Sequence, residues 1–356
     1  MDKHSTGGVG DKVSMVVGPL IASLGVPFAK MAGRGLGFTG GTIDKLESIE
    51  GFQTSMTTDA FIEQVNQHGI AIMAQTVELA PADKKLYALR DVTATVNDMS
   101  LIASSIMSKK LAAGADVIVL DVKTGSGAFM KKEEDAHMLA QEMVKIGKGA
   151  HRKVTAVITD MDQPLGTAVG NALEVIEAIE ALKGHGNEDF LQVCLTLGAY
   201  ILTGAGKADT IEQAQNLLKG AIADGSALNK MREWIVCQGG NPAVLEDYSL
   251  FGQAAVRLEL QAPHNGYVSH IQCEEVGRTA MILGGGRSCQ TDIIDSTVGI
   301  VLHKKVGAKV DAGDCIATIY ANDEQKCKEA QQQLLAAYTF TQEPPALRPI
   351  VHQIIE

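Results

Sequence analysis

The sequence predicts an α/β fold with a doubly wound mixed sheet flanked by helices, a partial small helical domain and a C-terminal α+β domain. Apolar runs of strand length alternate with helix-length segments through most of the chain, which favours a sheet covered on both faces. From Ala255 onward, apolar and polar residues instead alternate with a period of two. We therefore assign residues 1–81 and 113–250 to a central domain, 82–112 to the small helical domain and 251–356 to the C-terminal domain.

The central domain is predicted from its alternating elements. Its strands are expected at residues 27–31, 70–74, 117–122 and 154–159, and its helices at 13–24, from 43 onward, 59–68, 133–147 and 170–183. The run at 117–122 is Val-Ile-Val-Leu-Asp-Val, which is typical of a buried parallel strand. Two helices at 80–89 and 100–113 follow each other without a strand between them, which indicates an excursion into a helical layer.

The C-terminal domain is predicted from its period-two segments. Residues 256–262 and 266–271 alternate apolar and polar side chains around a Pro-His-Asn turn, which is the signature of a β-hairpin. Further strands are expected at 300–302 and 315–320, followed by a helix at 324–338.

Composition excludes several classes of protein. The net charge of −11 argues against a nucleic-acid partner, because binding to phosphate backbones requires basic surfaces. The six cysteines contain no CxxC pair, which argues against structural zinc and against a disulfide framework. No signal peptide and no run long enough to span a bilayer is visible, so we expect a cytoplasmic protein without membrane contact.

The stretch Lys3–Asp11 combines a cation, an imidazole, two hydroxyl groups and three glycines. A helix is predicted just after it, and the free N–H groups and dipole of a helix start favour a bound anion. A phosphate-binding loop is therefore one interpretation, and a mobile N-terminal tail is the other. A strand normally precedes such a loop. None is predicted here, so we expect the N-terminus to be incomplete.

Two further glycine-rich loops, residues 33–42 and 123–129, each follow a predicted strand. Residues 35–40 spell G-x-G-x-x-G, but a dinucleotide site also requires an acidic residue about 20 positions later at the end of a strand. A helix is predicted there instead, which disfavours a nucleotide cofactor. Ser105 and Lys109 share one helix face near Arg90, and this face is either solvated surface or part of a site.

Taken together, these motifs strongly resemble those of the thymidine and pyrimidine-nucleoside phosphorylases. The matching segments, which run from Asp2 to the C-terminal domain, are Lys-His-Ser-Thr-Gly-Gly-Val-Gly-Asp at 3–11, Gly-Arg-Gly-Leu-Gly at 33–37, Thr-Gly-Gly-Thr-Ile-Asp-Lys-Leu-Glu at 39–47, Leu-Tyr-Ala-Leu-Arg-Asp-Val-Thr-Ala-Thr at 86–95, Asp-Val-Lys-Thr-Gly-Ser-Gly-Ala-Phe-Met at 121–130 and Pro-Leu-Gly at 164–166. The resemblance implies reversible phosphorolysis of a pyrimidine nucleoside by phosphate, in a homodimer without an organic cofactor.

The resemblance also implies the site residues. Those expected at the phosphate are Lys3, His4, Ser5, Ser14, Lys30, Met31, Ala32 and Thr42. Those expected at the nucleoside are His4, Leu36, Tyr87, Arg90, Ser105 and Lys109, with His4, Arg90 and Lys109 as the catalytic residues. A potassium site resembling that of bacterial relatives maps to Gly10, Lys12, Leu165, Ala168 and Glu177.

The chain departs from the family pattern at three of its positions. Lys12 stands where the family has Thr or Ser, so an ammonium group is expected in place of the potassium ion. Ala32 replaces a Ser and Phe38 replaces a His. The loss of one hydrogen bond to a charged group costs about 1.5–3 kcal/mol, so weaker phosphate binding is expected.

Two other functions are compatible with these motifs. An anthranilate-type phosphoribosyltransferase shares the fold and the glycine-rich phosphate loops, but its metal-chelating acidic pair is not evident. A truncated or decayed homologue without activity is suggested by the expected loss of N-terminal helices together with Ala32 and Phe38. Within the phosphorylases, residues 29–31 and 163–166 resemble the branch that accepts several nucleosides more than the thymidine-selective branch.

Overall fold

A computed structural model describes residues 1–35, 37–74, 80–83, 86, 98–289 and 291–356. Half of the predicted helix at 80–89 therefore lies outside the described residues, and so do Leu36, Tyr87 and Arg90. None of the helices in the described part is long and apolar enough to cross a bilayer.

The predicted helices that the structure describes form within a few residues of their expected bounds, but the helix at Cys273–Ala280 was not predicted. In chain order the described helices are α1 Val13–Ser23, α2 Thr42–Leu46, α3 Thr58–His68, α4 Met99–Ala112, α5 Glu133–Gly149, α6 Asn171–Leu182, α7 Glu188–Gly204, α8 Ile211–Ala223, α9 Ser226–Cys237, α10 Cys273–Ala280 and α11 Glu324–Ala337. A short π-helical segment, Met281–Gly285, extends α10.

The described strands form four sheets: the central sheet, a parallel two-stranded sheet, and one four-stranded and one three-stranded sheet formed mainly by the C-terminal region. They are β1 Asp2–Ser5, β2 Phe28–Ala32, β3 Ile70–Ala74, β4 Val117–Thr124, β5 Lys153–Asp160, β6 Ala168–Gly170, β7 Val256–Gln261, β8 Gly266–Ile271, β9 Gly299–Leu302, β10 Lys309–Val310, β11 Cys315–Ala321, β12 Tyr338–Thr341 and β13 Val351–Ile355.

The central sheet has the order β1-β4-β5-β13, with the first three strands parallel and β13 antiparallel to β5. The parallel pair β2–β3 lies beside β1, where the Ala29 N–H donates to the Met1 carbonyl at 3.4 Å. Alternate residues of β4 enter two different cores: Val117 and Val119 pack with α1, α6 and α7, while Ile118 and Leu120 pack with α4 and α5. The sheet is therefore mixed and covered on both faces, as predicted.

The expectation that no strand supports the first glycine loop was wrong. Residues 2–5 are themselves a strand, and Lys3 is opposite Val119 in the parallel register with β4. Asp-Lys-His-Ser contains no apolar residue, so neither hydrophobic run nor period-two alternation reveals it. The strand exists because its charged side chains find buried partners on β4 and α4.

The predicted hairpin of residues 256–271 was also wrong. Both strands form, but β7 pairs with β11 whereas β8 pairs with β10 and β12 in another sheet. Ala262, at the start of the connecting turn, forms its backbone hydrogen bonds with the segment before β11. Its N–H donates to the Asp314 carbonyl, and its carbonyl accepts from the Gly313 N–H. The turn therefore carries the chain from one sheet to the other.

The C-terminal region is joined to the central region at two places. Strand β9 pairs with β6, and β13 returns to the central sheet beside β5. The division of the chain at residue 251 stays a prediction.

His352 on β13 connects the last strand to the central sheet. Its ring is 3% exposed and lies 3.1 Å from Glu133 and 3.3 Å from Asp160. The polar contact with Asp160 is the largest effect on the pKa of His352, and together with the charge of Glu133 it raises that pKa despite burial. When it is protonated, the ring stabilises the docking of β13 on β5.

We expect this contact to make stability pH-dependent. Because the pKa is raised on folding, its contribution is complete below the unfolded value of about 6.5 and is lost as pH rises through the folded value. His352→Gln should therefore lower the free energy of unfolding by about 1 kcal/mol at pH 6 and by less at pH 8, measured by urea unfolding. His137→Gln is the matched control, because His137 contacts the neutral Gln353. An equal loss at both pH values for His352→Gln would contradict this role.

Candidate active site

The first glycine loop is anchored to the carboxyl ends of β1 and β4. The Thr6 N–H donates to the Asp121 carbonyl at 3.0 Å, and the Thr6 hydroxyl accepts from the Lys123 N–H at 2.9 Å. The Ser5 hydroxyl accepts the N–H of Gly7 at 3.1 Å, and Gly7 has a φ of 88°, which glycine adopts without strain. This loop is therefore a bonded structure and not a mobile tail.

A buried charge network lies between the two strands. Lys3 Nζ is 3.2 Å from Asp121 Oδ2, Lys123 Nζ is 3.0 Å from the same oxygen, and all three side chains are 0% exposed. The Thr159 hydroxyl donates to the other oxygen of Asp121 at 2.7 Å. Two ammonium groups thus share one carboxylate under the glycine loop.

Asp11, at the end of the loop, is the second carboxylate near these lysines. Its Oδ1 lies 3.9 Å from Lys3 Nζ, and its carbonyl accepts from Lys45 Nζ at 2.8 Å. Burial raises the pKa of Asp11, but the charges of Lys3, Lys123 and Lys45 outweigh it and hold the pKa far below its usual range. Asp11 is therefore ionised at neutral pH.

Lys30 on β2 has a strongly shifted pKa. Its Nζ donates to the Lys3 carbonyl at 2.6 Å, and burial together with the positive charge of Lys110 lowers the pKa to about 7. About half of this amine is therefore unprotonated at neutral pH. An anion bound beside Lys30 would favour its charged form, since opposite charges raise the pKa of a lysine.

Helix α4 lies against β1 on the side of His4. Lys110 pairs with Asp2 at 2.8 Å, and Lys109 Nζ donates to the Ser105 hydroxyl at 3.0 Å. Burial lowers the pKa of His4 well below its usual value, and the charges of Lys110, Lys30, Lys3 and Lys109 lower it further. The His4 imidazole is therefore neutral, with one donor and one acceptor nitrogen.

Ser105 and Lys109 lie together on one face of α4, and the charge of Lys109 acts on His4 of β1. Their role in a site stays a prediction. Lys109 also pairs with Asp83 at 2.8 Å, and its side chain is 26% exposed. Arg90, which is predicted to act with these two residues, is among the residues that the structure leaves undescribed.

The second glycine loop connects the end of β2 to the start of α2. Met31 and Ala32 are buried at the end of β2, and Thr42 is the first residue of α2. Phe38 in this loop lies below two cations, with Lys131 Nζ at 5.1 Å and the Arg278 guanidinium at 5.9 Å from the ring centre. An aromatic face attracts cations, so the ring at position 38 suits these neighbours.

The residues of the expected potassium site surround the ammonium group of Lys12. Lys12 Nζ donates at 2.9 Å to each of the Leu165 and Ala168 carbonyls and contacts the Glu177 carboxylate. Burial would raise the pKa of Glu177, but Lys12 and the N–H groups of Ala168 and Thr167 lower it. The Lys12 ammonium therefore occupies the oxygen atoms that the resemblance assigns to a cation.

The sequence did not lead us to predict the buried charged residues that pair with one another around the first glycine loop. Besides Asp11, these are Lys45, which pairs with Glu174 at 2.6 Å, and the Asp121–Lys123 pair. The available signal was a charged residue on each side of Val122 in an otherwise apolar strand. Charges are placed in a buried strand only where partners compensate them.

No group of three or more His, Cys, Asp or Glu side chains in the described ranges is arranged to hold a metal ion. All six cysteines are free thiols.

Comparison with known proteins defines the class of this site. Residues 1–228 match the family described as "Glycosyl transferase family, a/b domain". A crystal structure of anthranilate phosphoribosyltransferase from Thermus thermophilus shares this fold, with a TM-score of 0.50 and 17% identity over 67% of this chain and 77% of that chain. The central region is thus a glycosyl transferase α/β domain.

The C-terminal region and the curated relatives specify the family. Residues 267–341 match "Pyrimidine nucleoside phosphorylase C-terminal domain". The pyrimidine-nucleoside phosphorylase of Geobacillus stearothermophilus is 58% identical over 91% of this chain and 75% of its own length. That of Bacillus subtilis is 56% identical over the same shares. The chain belongs to the pyrimidine-nucleoside phosphorylase family, which confirms the resemblance seen in its motifs.

The shared carboxylate of the charge network predicts a large loss on mutation. Asp121→Asn leaves the two buried ammonium groups without their common anion, so the free energy of unfolding should fall by about 3–5 kcal/mol. Urea unfolding followed by circular dichroism measures this loss. Asp116→Asn is the control, since Asp116 is 82% exposed in its pair with Arg152 and should change stability by less than about 0.5 kcal/mol. Equal effects of the two substitutions would contradict the role of the network.

Proposed function

We propose that this chain is a pentosyltransferase that catalyses the reversible phosphorolysis of pyrimidine nucleosides. Its substrates are phosphate with uridine, thymidine or deoxyuridine, and its products are the free base and a ribose or deoxyribose 1-phosphate. The observation that carries this proposal is the grouping of Lys30 and Lys109 around His4 of β1, with Lys109 bonded to Ser105 on α4 and both charges acting on the His4 imidazole. The 58% identity to a pyrimidine-nucleoside phosphorylase supports it.

The reaction needs positioning and charge stabilisation more than it needs a protein nucleophile. A phosphate oxygen forms a bond to C1′ while the bond from C1′ to N1 of the base breaks, and the electron pair leaves with N1. The sugar carries positive charge in the transition state, as in glycoside hydrolysis. The protein must hold phosphate near C1′ and stabilise negative charge on the departing base.

For phosphate, we propose a site between the first two glycine loops and β2. Lys30 gains a proton when the anion binds, since its pKa is about 7 before binding. Lys3 contributes its charge from the buried position in which Asp121 and Asp11 hold it. The remaining proposed contacts are His4, Ser5, Ser14, Met31, Ala32 and Thr42. The methyl group of Ala32 supplies no hydrogen bond, which is consistent with weaker binding of phosphate.

For the nucleoside, we propose a site between β1 and α4. The neutral imidazole of His4 donates to one carbonyl of the base, and the Lys109 ammonium stabilises negative charge on the other. Ser105 orients Lys109 through their hydrogen bond of 3.0 Å. The roles of Leu36, Tyr87 and Arg90 rest on the motif resemblance alone.

We also propose a cytoplasmic homodimer. The six free thiols are typical of a reducing compartment, and the resemblance to the phosphorylases implies the dimer. A phosphoribosyltransferase is not favoured, because its structural likeness is 17% identical and shows the fold alone.

Phosphorolysis is tested by the release of uracil from uridine. The chain should release uracil with inorganic phosphate and not without it, and Lys109→Gln should lower kcat by about 10²–10³, the usual effect of losing one group that stabilises transition-state charge. Lys145→Gln, on the exposed face of α5, should leave kcat within about twofold. The measurement is absorbance of free uracil at saturating phosphate.

Two results would contradict the proposed function. Uracil release at the same rate without phosphate would indicate a hydrolase, and no release at all would indicate an inactive homologue. Turnover of thymidine compared with uridine then measures the breadth of nucleoside specificity.

We further propose that the Lys12 ammonium takes the place of a potassium ion. Its contacts with Leu165, Ala168 and Glu177 join the end of the first glycine loop to α6, which is the task a bound cation would perform. The chain should therefore unfold at the same temperature in potassium chloride and in choline chloride.

Lys12→Thr removes the ammonium group, so the thermal stability of this variant should depend on a free cation. The variant should unfold at a lower temperature than the unmodified chain, and potassium chloride should raise that temperature above the value in choline chloride, by mass action on the folded state. Differential scanning calorimetry measures both effects without turnover. The control Lys132→Thr, at an exposed position, should show no preference for potassium. A variant insensitive to potassium, or an unmodified chain stabilised by it, would contradict the replacement.

A further inference from the structure

The second glycine loop is folded back on itself around the carboxylate of Asp44. The Gly35 N–H donates to Asp44 Oδ2 at 2.7 Å. A Cβ at Gly41 would lie 2.1 Å from the Gly35 nitrogen, so the two ends of the loop are in contact and only glycine fits there. Asp44 stands two residues after Thr42, and its side chain is 2% exposed.

A cation from the C-terminal region reaches this carboxylate. Arg287 Nη1 lies 2.8 Å from Asp44 Oδ1, and the Arg287 carbonyl accepts the Gly37 N–H at 2.8 Å. Arg287 Nε donates to the Asp292 carbonyl at 3.1 Å, which fixes the guanidinium. Arg287 therefore holds both the loop backbone and the carboxylate around which the loop is folded.

The segment that carries Arg287 is itself anchored to the central region. The side-chain amide of Asn171, the first residue of α6, donates to the Gly285 carbonyl at 2.8 Å. A Cβ at Gly286 would lie 3.3 Å from the Gly37 carbonyl, so the two backbones pack closely. Arg287 thus approaches the loop from a fixed position.

Arg34 also contacts Asp44, but the two arginines are not equivalent. Arg34 is 48% exposed and is held mainly by Glu47, which sets its raised pKa, whereas Arg287 is 14% exposed. Exposed ion pairs contribute little, and a buried carboxylate that loses its buried partner is strongly destabilised. Arg287 is therefore the cation on which the charge balance of Asp44 depends.

We propose that Arg287 is a positioning residue for phosphate. The inference rests on the proposed function, which puts phosphate at Ala32 and Thr42, the two ends of this loop. Without the Arg287 guanidinium, the loop loses the contact of Nη1 with the Gly35 carbonyl, and the Asp44 carboxylate lies near the anion with less compensating charge. Both effects weaken phosphate binding, and neither acts on the nucleoside contacts at His4 and Lys109.

The test separates phosphate binding from nucleoside binding. Arg287→Gln should raise the KM for phosphate about five- to tenfold while the KM for uridine and kcat stay within about twofold. Inorganic phosphate alone should also raise the unfolding temperature of this variant less than that of the unmodified chain. Arg287→Lys, which keeps the charge but loses the planar fork, should lie between the two.

Two arginines provide controls. Arg257→Gln removes an exposed guanidinium from β7, where it pairs with Glu259, and should leave the KM for phosphate unchanged. Arg34→Gln should raise the KM for phosphate less than twofold, because the Arg34 side chain that pairs with Asp44 is half-exposed.

The outcomes distinguish this inference from the proposed function. If the unmodified chain does not phosphorolyse uridine, the proposed function fails, and protection by inorganic phosphate still reports on the loop. If the unmodified chain is active and Arg287→Gln has an unchanged KM for phosphate, Arg287 does not position phosphate. A parallel rise in both KM values would mean general loosening and would also overturn the inference. Should Arg287→Gln fail to fold, the same criteria apply to Arg287→Lys.

Discussion

The carboxylate of Asp121 is the feature on which the arrangement of the site depends. It lies in a fully buried strand and accepts Lys3 from β1 and Lys123 from its own strand, so it joins two parallel strands through charge. An isolated charge at this depth is prohibitively costly, and the pairing is what allows a strand without apolar residues to pair with β4 in the buried sheet. Because β1 is held there, the glycine loop that follows it lies where β4 also ends.

The electrostatics of the site follow from that arrangement. Burial lowers the pKa of His4, and the charges of Lys110, Lys30 and Lys109 around β1 lower it further, so its imidazole is neutral. Lys110 is paired with the Asp2 carboxylate, whereas burial and the charge of Lys110 lower the pKa of Lys30 to about 7. Charged side chains also hold two of the glycine loops. Lys12, which follows the first loop, donates to the Leu165 carbonyl, and Arg287 pairs with Asp44 at the second loop.

Much of the fold was predictable because its helices and buried strands follow hydrophobic periodicity. The helix at 59–68 and the strand at 70–74, for example, form within one residue of the predicted bounds. Two errors have a common cause. Strand β1 and the partners of β7 and β8 depend on which distant segments pair, and local alternation carries no information on pairing. The contacts of Lys12 differ in kind from these errors, because the motif resemblance had already grouped Lys12 with Leu165 and Ala168, whose carbonyls accept from its ammonium group.

The sequence by itself determined the family and the three glycine loops, because these depend on local chemistry in a fixed order along the chain. Only the tertiary structure decided that Lys3 is buried against Asp121 and that Arg287 reaches Asp44 across 243 positions of the chain. Such contacts join segments far apart in sequence. A charged side chain does not reveal its partner until folding removes both groups from water.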